Sequence, residues 1–438
     1  MLFFLALLYI LISLLMICND ILDIKKNKDI CLLHFFRLSF SVFQCLIPAI
    51  MIIRIINGTY HHYIPISETE LPLIILEMLL ITIIEYFIVT ISYKSSKSSK
   101  FYYNKTSQRT IEPNNVSLTI ILLFSSISVF LWTRAFGSVF SFIQQADSVR
   151  ASYSKVANPF AFLEHFSKLF YFGFFLSIDN FYRKKSNGIY EFILIIAYLI
   201  GSITVMLCTD SRGALGELII IISVYFMKIK ANEGKSIVSL LLKFGILLIL
   251  AFVLSAVAGT FFDYYRFKSE IVIPKSNIFD TLEDELSFTF TSKLYALSSQ
   301  SNIIFSCYFY NDLVNAVLAW IPSRFTIGFM PEKLWDFNSS ILGGSGTSPT
   351  DFITASLYMF GLPGVIILPA MFGFALKKID TSLNRKKFNS SRIVYFAFFA
   401  YLCIWWAGYF GMYNTMLYLF APLLAYVVCR FVNDKIKV

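Results

Sequence analysis

The residues best suited to chemistry are arginines in short polar segments between long apolar runs. Arg212 lies in Cys208-Thr-Asp-Ser-Arg-Gly-Ala-Leu-Gly216, where a few polar residues separate two apolar stretches. A guanidinium forms paired hydrogen bonds to phosphate oxygens and keeps its charge in a low-dielectric setting, and Gly213 would leave nearby backbone amides open to an anion. Two interpretations stay open: an anion ligand, or a helix-end anchor that contacts lipid headgroups or pairs with Asp210.

Further arginines occupy other polar segments of the same kind. Arg266 follows the aromatic run Phe261-Phe-Asp-Tyr-Tyr265, Arg324 follows Trp320-Ile-Pro-Ser, and Arg150 borders a shorter polar segment. A diphosphate carries at least two negative charges, so its site needs two or three cations from different loops. We therefore predict that these three residues and Arg212 hold a diphosphate, and that Arg324 also takes part in catalysis. Each arginine taken singly could equally contact lipid headgroups.

Carboxylates are the candidates for a general base, which would take a proton from an attacking hydroxyl. Asp351 is our candidate because it is the last acid before a long apolar run. Three other acids lie within apolar runs: Glu77, Glu85 and Glu164. Intramembrane carboxylates are typical of proton-coupled transporters, so this pattern keeps a transport function open.

The sequence contains no metal-ligating pattern. His61 and His62 are adjacent, whereas His34 and His165 lie far apart along the chain. The seven cysteines form no Cys-x-x-Cys pair. We therefore expect neither a metal nor another cofactor.

The apolar runs that must position these residues predict helices in lipid. Hydrophobic residues make up 57% of the 438 residues, charged residues 15%, and the mean hydropathy is +0.69. Runs of about 20 apolar residues match the length that a helix needs to cross a bilayer. We predict an all-α polytopic membrane protein with eleven spans, at approximately 2–18, 31–54, 72–93, 116–134, 160–178, 189–208, 214–228, 237–258, 352–376, 393–408 and 415–431.

The basic residues predict the orientation of these spans. The formal net charge is +10, and most of the 37 Lys and Arg residues fall in one set of alternate connections and the C-terminal tail. Cytoplasmic loops carry an excess of Lys and Arg, so we place the N-terminus outside and the C-terminus in the cytoplasm. The positive net charge is therefore explained by the orientation of the helices in the membrane, and we expect no nucleic-acid partner.

The sequence predicts three regions: helices over 1–258, one large external loop over 259–351, and helices followed by a cytoplasmic tail over 352–438. Within the loop, residues 303–321 are nearly apolar enough to cross. A crossing there would place the later basic cluster outside, so we predict that this stretch lies in the interface. The loop is rich in Tyr and Trp, whose rings stack on sugar faces and also form the interfacial belts of any membrane protein.

From about residue 130 onward, the order of motifs resembles that of the bacterial O-antigen and oligosaccharide repeat-unit polymerases called Wzy. The resemblance rests on Ser211-Arg-Gly213, Trp320-Ile-Pro-Ser-Arg324 in a long outer loop, Ser348-Pro-Thr-Asp351, and Tyr358-Met-Phe-Gly-Leu-Pro-Gly364. The motifs are short. The chain keeps the pairing of Arg212 with Gly213 but offers only a loose counterpart of the family's Arg-rich pattern around Arg324.

The resemblance implies a metal-independent glycosyltransferase with a GT-C-like helical bundle, in the bacterial inner membrane. Its donor and acceptor would be undecaprenyl-diphosphate-linked oligosaccharides, joined at the periplasmic face into O-antigen or a related polysaccharide. A chain-length regulator protein would be a possible partner, besides membrane lipid. The family's functional arginines would correspond to Arg212 and, less directly, to Arg266 and Arg324.

Three alternatives remain open from the sequence. An O-antigen ligase, which moves finished polymer to lipid A-core, also has a long outer loop. A lipid-linked sugar flippase or proton-coupled transporter would use the intramembrane glutamates. A purely structural role in an envelope assembly leaves the arginines unexplained.

Overall fold

The structure is a computed structural model. It describes residues 1–27, 29–60, 66–96, 113–150, 158–184, 188–209, 212–236, 239–240, 243–247, 286–298, 308–321, 325, 330–342, 348–383 and 391–436. Side chains are not described for 27, 147–150, 184, 212, 213 and 436.

The regular structure of these residues is helical, apart from a single antiparallel bridge between Thr350 and Phe410. The helices are α1 Leu2–Asn27, α2 Leu32–Ile56, α3 Leu71–Ser95, α4 Asn115–Thr133, α5 Val139–Arg150, α6 Leu169–Lys184, α7 Ile189–Thr209, α8 Arg212–Asn232, α9 Phe288–Ser298, α10 Phe309–Leu318, α11 Leu334–Ile341, α12 Phe352–Phe360, α13 Gly364–Leu383, α14 Ser391–Gly408 and α15 Met412–Ile436.

Several of these helices are built to face lipid. Seven described helices are long and apolar enough to cross a membrane, or eight if the bent pair α12 and α13 counts as one span. On α1, Leu7, Leu11 and Leu14 share one face and are each more than half exposed. Such a stripe is stable only in an apolar solvent. The chain is therefore a polytopic helical membrane protein.

The predicted number of eleven spans and the GT-C-like arrangement stay predictions. The predicted spans 160–178 and 214–228 overlap α6 and α8, which are helical but are not among the seven. Most of the predicted span 237–258 lies outside the described residues.

The predicted span 352–376 differs in the structure, because the chain breaks between α12 and α13. The two axes meet at 116°. Gly361 has φ +65°, a conformation that other residues rarely adopt, and Pro363 supplies no backbone N–H. The nine residues of α12 span about 14 Å, which is too short to cross a bilayer. The apolar pattern could not reveal this break, since both helices are apolar.

The basic helix ends meet at one end of the bundle, which we call the basic end. Lys94 at the end of α3 lies 3.4 Å from Asp23 of α1, and Lys228 near the end of α8 bonds Asp29 at 2.9 Å. Lys377 of α13 lies over the ring of Tyr93. The sequence predicts that this end faces the cytoplasm. We call the other end, where α10 and α11 lie, the opposite end.

Between the two ends, α2 contains one π-helical turn over Val42–Leu46. A π turn adds a residue to the helix and redirects the side chains near it, often at functional sites. Here it accompanies the burial of Gln44, whose side-chain amide donates to the carbonyl of Ala407 on α14 at 2.7 Å. The described helix α9 packs its buried residues against this region of the bundle.

Candidate functional site

A cavity of about 340 Å³ opens at the opposite end of the bundle. Its size lies within the range of pockets that bind small molecules. Three stretches of chain and Tyr413 form its walls, and the lining residues are Asn158, Pro159, Ala161, Phe162, Glu164, His165, Ala319, Trp320, Ile321, Met330, Lys333 and Tyr413. The lining thus combines aromatic surfaces with charged groups. We call this cavity the outer pocket, because the sequence predicts that this end of the bundle faces outside.

Local hydrogen bonds fix the walls of the outer pocket. The amide of Asn158 donates to the carbonyl of Trp132 at the end of α4, at 2.7 Å. The indole N–H of Trp320 donates to the carbonyl of Met416 on α15, at 2.9 Å. Because these two walls are tied to membrane helices, the pocket is held by the bundle as well as by its loops.

Asp312 of α10 ties the loop to α15. Its carboxylate accepts the backbone N–H of Met412 at 2.7 Å and that of Tyr413 at 3.5 Å. Burial raises the pKa of Asp312 to about 6, while these two amides lower it. Acceptance of backbone N–H groups at the start of a helix also opposes the positive end of its dipole. This clamp fixes the position of Tyr413 in the pocket wall.

Two lysines place positive charge at and beside the outer pocket. The ammonium group of Lys333 lies 4.4 Å from the ring centroid of Tyr413. Lys168, one turn below the pocket, lies 5.2 Å from the ring centroid of Tyr418. Ammonium groups over aromatic faces are held electrostatically and still present their donors to a ligand. The pocket therefore offers one ammonium group beside aromatic rings, and the carboxylate of Glu164 also lines it.

His165 lines the same pocket and is held neutral. It lies in the single helical turn Glu164–Ser167, before α6. Burial, together with the charges of Lys168 and Lys333, lowers its pKa to about 4. Its Nδ1 is buried without a hydrogen-bond partner in the described part of the chain. A neutral imidazole can accept a proton, but burial and the two lysines make this one a weak base until negative charge binds beside it.

A second group of polar residues lies deeper, halfway along the bundle, and we call it the mid-depth cluster. It consists of Gln44, Glu85, Lys293, Asp351 and Ser356, all fully buried. The ammonium group of Lys293 on α9 donates to the side-chain oxygen of Gln44, and the hydroxyl of Ser356 donates to Glu85. A buried lysine at this depth is stable only beside negative charge, here supplied by two carboxylates.

Asp351 is the N-cap of α12 in this cluster. One of its carboxylate oxygens accepts the N–H groups of Ile353 and Thr354, at 3.0 and 3.3 Å, and the other accepts the Thr354 hydroxyl. Three donors thus occupy the carboxylate that the sequence nominated as a general base. The catalytic role of Asp351 stays a prediction.

Helix α11 connects the outer pocket to the mid-depth cluster. Lys333, in the pocket, is its N-cap. One turn further, the amide of Asn338 donates to the hydroxyl of Ser292, the neighbour of Lys293, and the side-chain oxygen of Asn338 accepts the hydroxyl of Tyr358 on α12. A movement of α11 would therefore affect both places.

The predicted diphosphate ligands lie mostly outside the described side chains. Arg212 is the first residue of α8 and Arg150 the last of α5, and only their backbones are described. Arg266 and Arg324 lie outside the described residues, although Ile321, three residues before Arg324 in sequence, lines the outer pocket. Their convergence stays a prediction.

Sequence reasoning missed His165, Lys168 and Lys333 as site residues. Each lies next to an apolar stretch and in no motif, and only the packing of separate segments brings them together. Comparisons of the chain with family models, with curated proteins and with solved structures found no match.

Proposed function

We propose that the protein joins lipid-diphosphate-linked oligosaccharides at the outer face of the membrane, as a repeat-unit polymerase that uses no metal. The observation that carries the proposal is the outer pocket, which has a lysine, a neutral histidine and aromatic rings at the end opposite the basic end. Aromatic faces stack on sugars, and cations neutralise a diphosphate.

The chemistry requires that the diphosphate leave with the bonding electrons of the sugar–oxygen bond. Positive charge stabilises that leaving group as its negative charge develops. Lys333 borders the pocket, and the predicted ligands Arg212, Arg266, Arg324 and Arg150 would supply the remaining charge. An undecaprenyl chain would extend from this site into the lipid between the helices.

The acceptor hydroxyl must lose its proton as it attacks. In our proposal His165 takes that proton, because its imidazole is neutral and lines the pocket. Removing a general base typically lowers a rate by about 10²–10⁴-fold. Asp351 would then cap α12 and would not take the proton of the acceptor. The sequence alone nominated Asp351 as the general base, so the two assignments differ in a way that variants can test.

The test is complementation of a strain that lacks the native protein. We expect Lys333→Ala, His165→Gln and Arg212→Ala each to abolish long polysaccharide chains while single repeat units persist on gels. Lys378→Ala is the matched control, because Lys378 is an exposed lysine near the basic end. Protein amounts are compared by immunoblot. Normal chain-length ladders in the three site variants, at normal protein levels, would contradict the proposal.

The same assay separates the alternatives. Loss of a ligase leaves full-length polymer on undecaprenyl diphosphate, whereas loss of the polymerase leaves single units there. The buried Glu85 in the mid-depth cluster specifically favours the second candidate, a proton-coupled flippase or transporter. In that case purified protein in proteoliposomes would move labelled lipid-linked sugar and form no new glycosidic bond.

A further inference from the structure

An apolar groove lies at the basic end of the bundle, far from the outer pocket. Its volume is about 350 Å³. One wall is a stripe of α8 with helical spacing, which consists of Ile219, Ile222, Ser223, Phe226, Met227 and Lys230. These positions follow one another at three- and four-residue steps, so they form a single face of the helix.

The second wall comes from the segment that follows α8. Leu240, Lys243 and Leu247 have the same spacing and line the groove together with Phe244. Phe244 also packs edge-on against Phe35, which fixes this wall to α2. Both walls are therefore attached to the bundle, and the exposed side chains of Phe226 and Leu247 leave the groove between them open to the surroundings of the protein.

The length of the groove matches one leaflet of a bilayer. From Ile219 to Lys230, α8 rises about 16 Å, and half of a hydrocarbon core of roughly 30 Å is about 15 Å. Apart from Ser223, the stripe is apolar along this length, and it ends in a lysine at the basic end. An anionic phospholipid has a matching arrangement, because its apolar acyl chain leads to a negatively charged headgroup.

The two groove lysines differ from Lys228, their buried neighbour. Lys228 donates to Asp29 and to the carbonyl of Ile30, so its charge is used inside the bundle. Lys230 and Lys243 are exposed, and Lys230 makes a surface ion pair with Glu233 at 2.8 Å. An exposed pair of this kind contributes little energy, so it competes weakly with a phosphate.

We propose that this groove binds an anionic phospholipid, with one acyl chain along the α8 stripe and its phosphate on Lys230 and Lys243. Basic pockets between membrane helices near the cytoplasmic face bind anionic headgroups in this way. The bound lipid would cover Phe226 and Leu247, which are 39% and 37% exposed. This site is independent of the proposed glycosyl transfer.

The experiment is a lipid titration of the full-length protein in detergent, read by native mass spectrometry. The probes are phosphatidylglycerol and phosphatidylcholine with identical acyl chains. We expect phosphatidylglycerol to bind more tightly, and the double variant Lys230→Ala/Lys243→Ala to raise its Kd about 30-fold, at about fivefold per lysine. The control Lys378→Ala removes one charge near the same end outside the groove and should leave the Kd unchanged.

A second variant tests the apolar wall without changing any charge. Ile222→Trp fills the groove and should weaken both lipids, whereas the lysine variant should weaken only the anionic one. Equal binding of the two lipids, or an unchanged Kd in the double variant, would overturn the proposal. The proposal would also be overturned if the wild-type protein were a dimer and Ile222→Trp dissociated it. The occupant of the groove would then be a second copy of the chain.

Discussion

The basic end and the mid-depth cluster both bury full charges, but they do so in different ways. At the basic end, Arg37 of α2 lies 3.0 Å from Asp20 of α1 and 3.6 Å from Asp23, and its Nη2 donates to Tyr86 of α3. The contact with Asp20 is ionic, since its angles fall short of a hydrogen bond. Opposite charges from the first three helices thus meet directly.

The mid-depth cluster brings its charges from distant parts of the chain. Lys293 is fully buried, and among the described residues its ammonium group donates to the neutral Gln44 rather than to a carboxylate. Direct pairing of opposite charges suits a fixed junction between helices. A buried charge without a direct ionic partner can instead exchange a proton or change its contacts when a helix moves. We therefore predict that charges at the basic end affect stability alone, whereas charges in the mid-depth cluster affect both stability and activity.

The largest expected effect is the loss of Arg37. Arg37→Met leaves Asp20 buried without its cation, and breaking a buried ion pair costs about 3–5 kcal/mol of unfolding free energy. The measurement is SDS-induced unfolding in mixed micelles. Polysaccharide synthesis per folded molecule should stay normal. The double variant Arg37→Met/Asp20→Asn should recover most of the loss, and a double variant as unstable as Arg37→Met would show that packing, not charge, dominates.

The loss of Lys293 should have a smaller effect on stability. Lys293→Met should cost about 3 kcal/mol, because one of the two carboxyl groups can take up a proton and lose its charge. The same unfolding assay applies, with Lys378→Met as the surface control.

Asp351→Asn sharpens this test, because asparagine also caps helices. Combined with Lys293→Met it should restore stability. If Asp351→Asn alone abolishes polysaccharide synthesis in a stable protein, Asp351 acts in catalysis as the sequence predicted, and our assignment of the base to His165 is wrong.

The smallest expected effect is a pH dependence at the Asp312 clamp. Its pKa of about 6 lies above the ordinary value of 3.8, so the folded state binds a proton more tightly than the unfolded state does. Stability from this group is therefore complete below pH 3.8 and decreases by about 1–3 kcal/mol as the pH rises through 6. Asp312→Asn should reduce the change in the free energy of unfolding between pH 4 and 6, whereas the control Asp336→Asn should leave that change as it is in the wild type. Identical curves for wild type and Asp312→Asn would exclude this role.

Local patterns predicted the membrane class correctly, since apolar runs of span length leave no soluble alternative. They could not predict the break at Gly361, because glycine and proline also occur within unbroken membrane helices. They also could not select Lys333 or His165, because the role of each depends on neighbours that lie 80 or more residues away along the chain. The arginines were selected by residue type alone, so their role stays a prediction.

The sequence by itself determined that this protein is a helical membrane protein. The preference of a segment for lipid is the sum of the contributions of its own residues and does not depend on contacts with other segments. Only the tertiary structure decided which polar groups meet. The outer pocket joins residues 158–165, 319–321, 330–333 and Tyr413, and the mid-depth cluster joins Gln44 to Lys293. Contacts of that kind depend on how helices pack, and packing depends on shapes and distances that no single stretch of sequence contains.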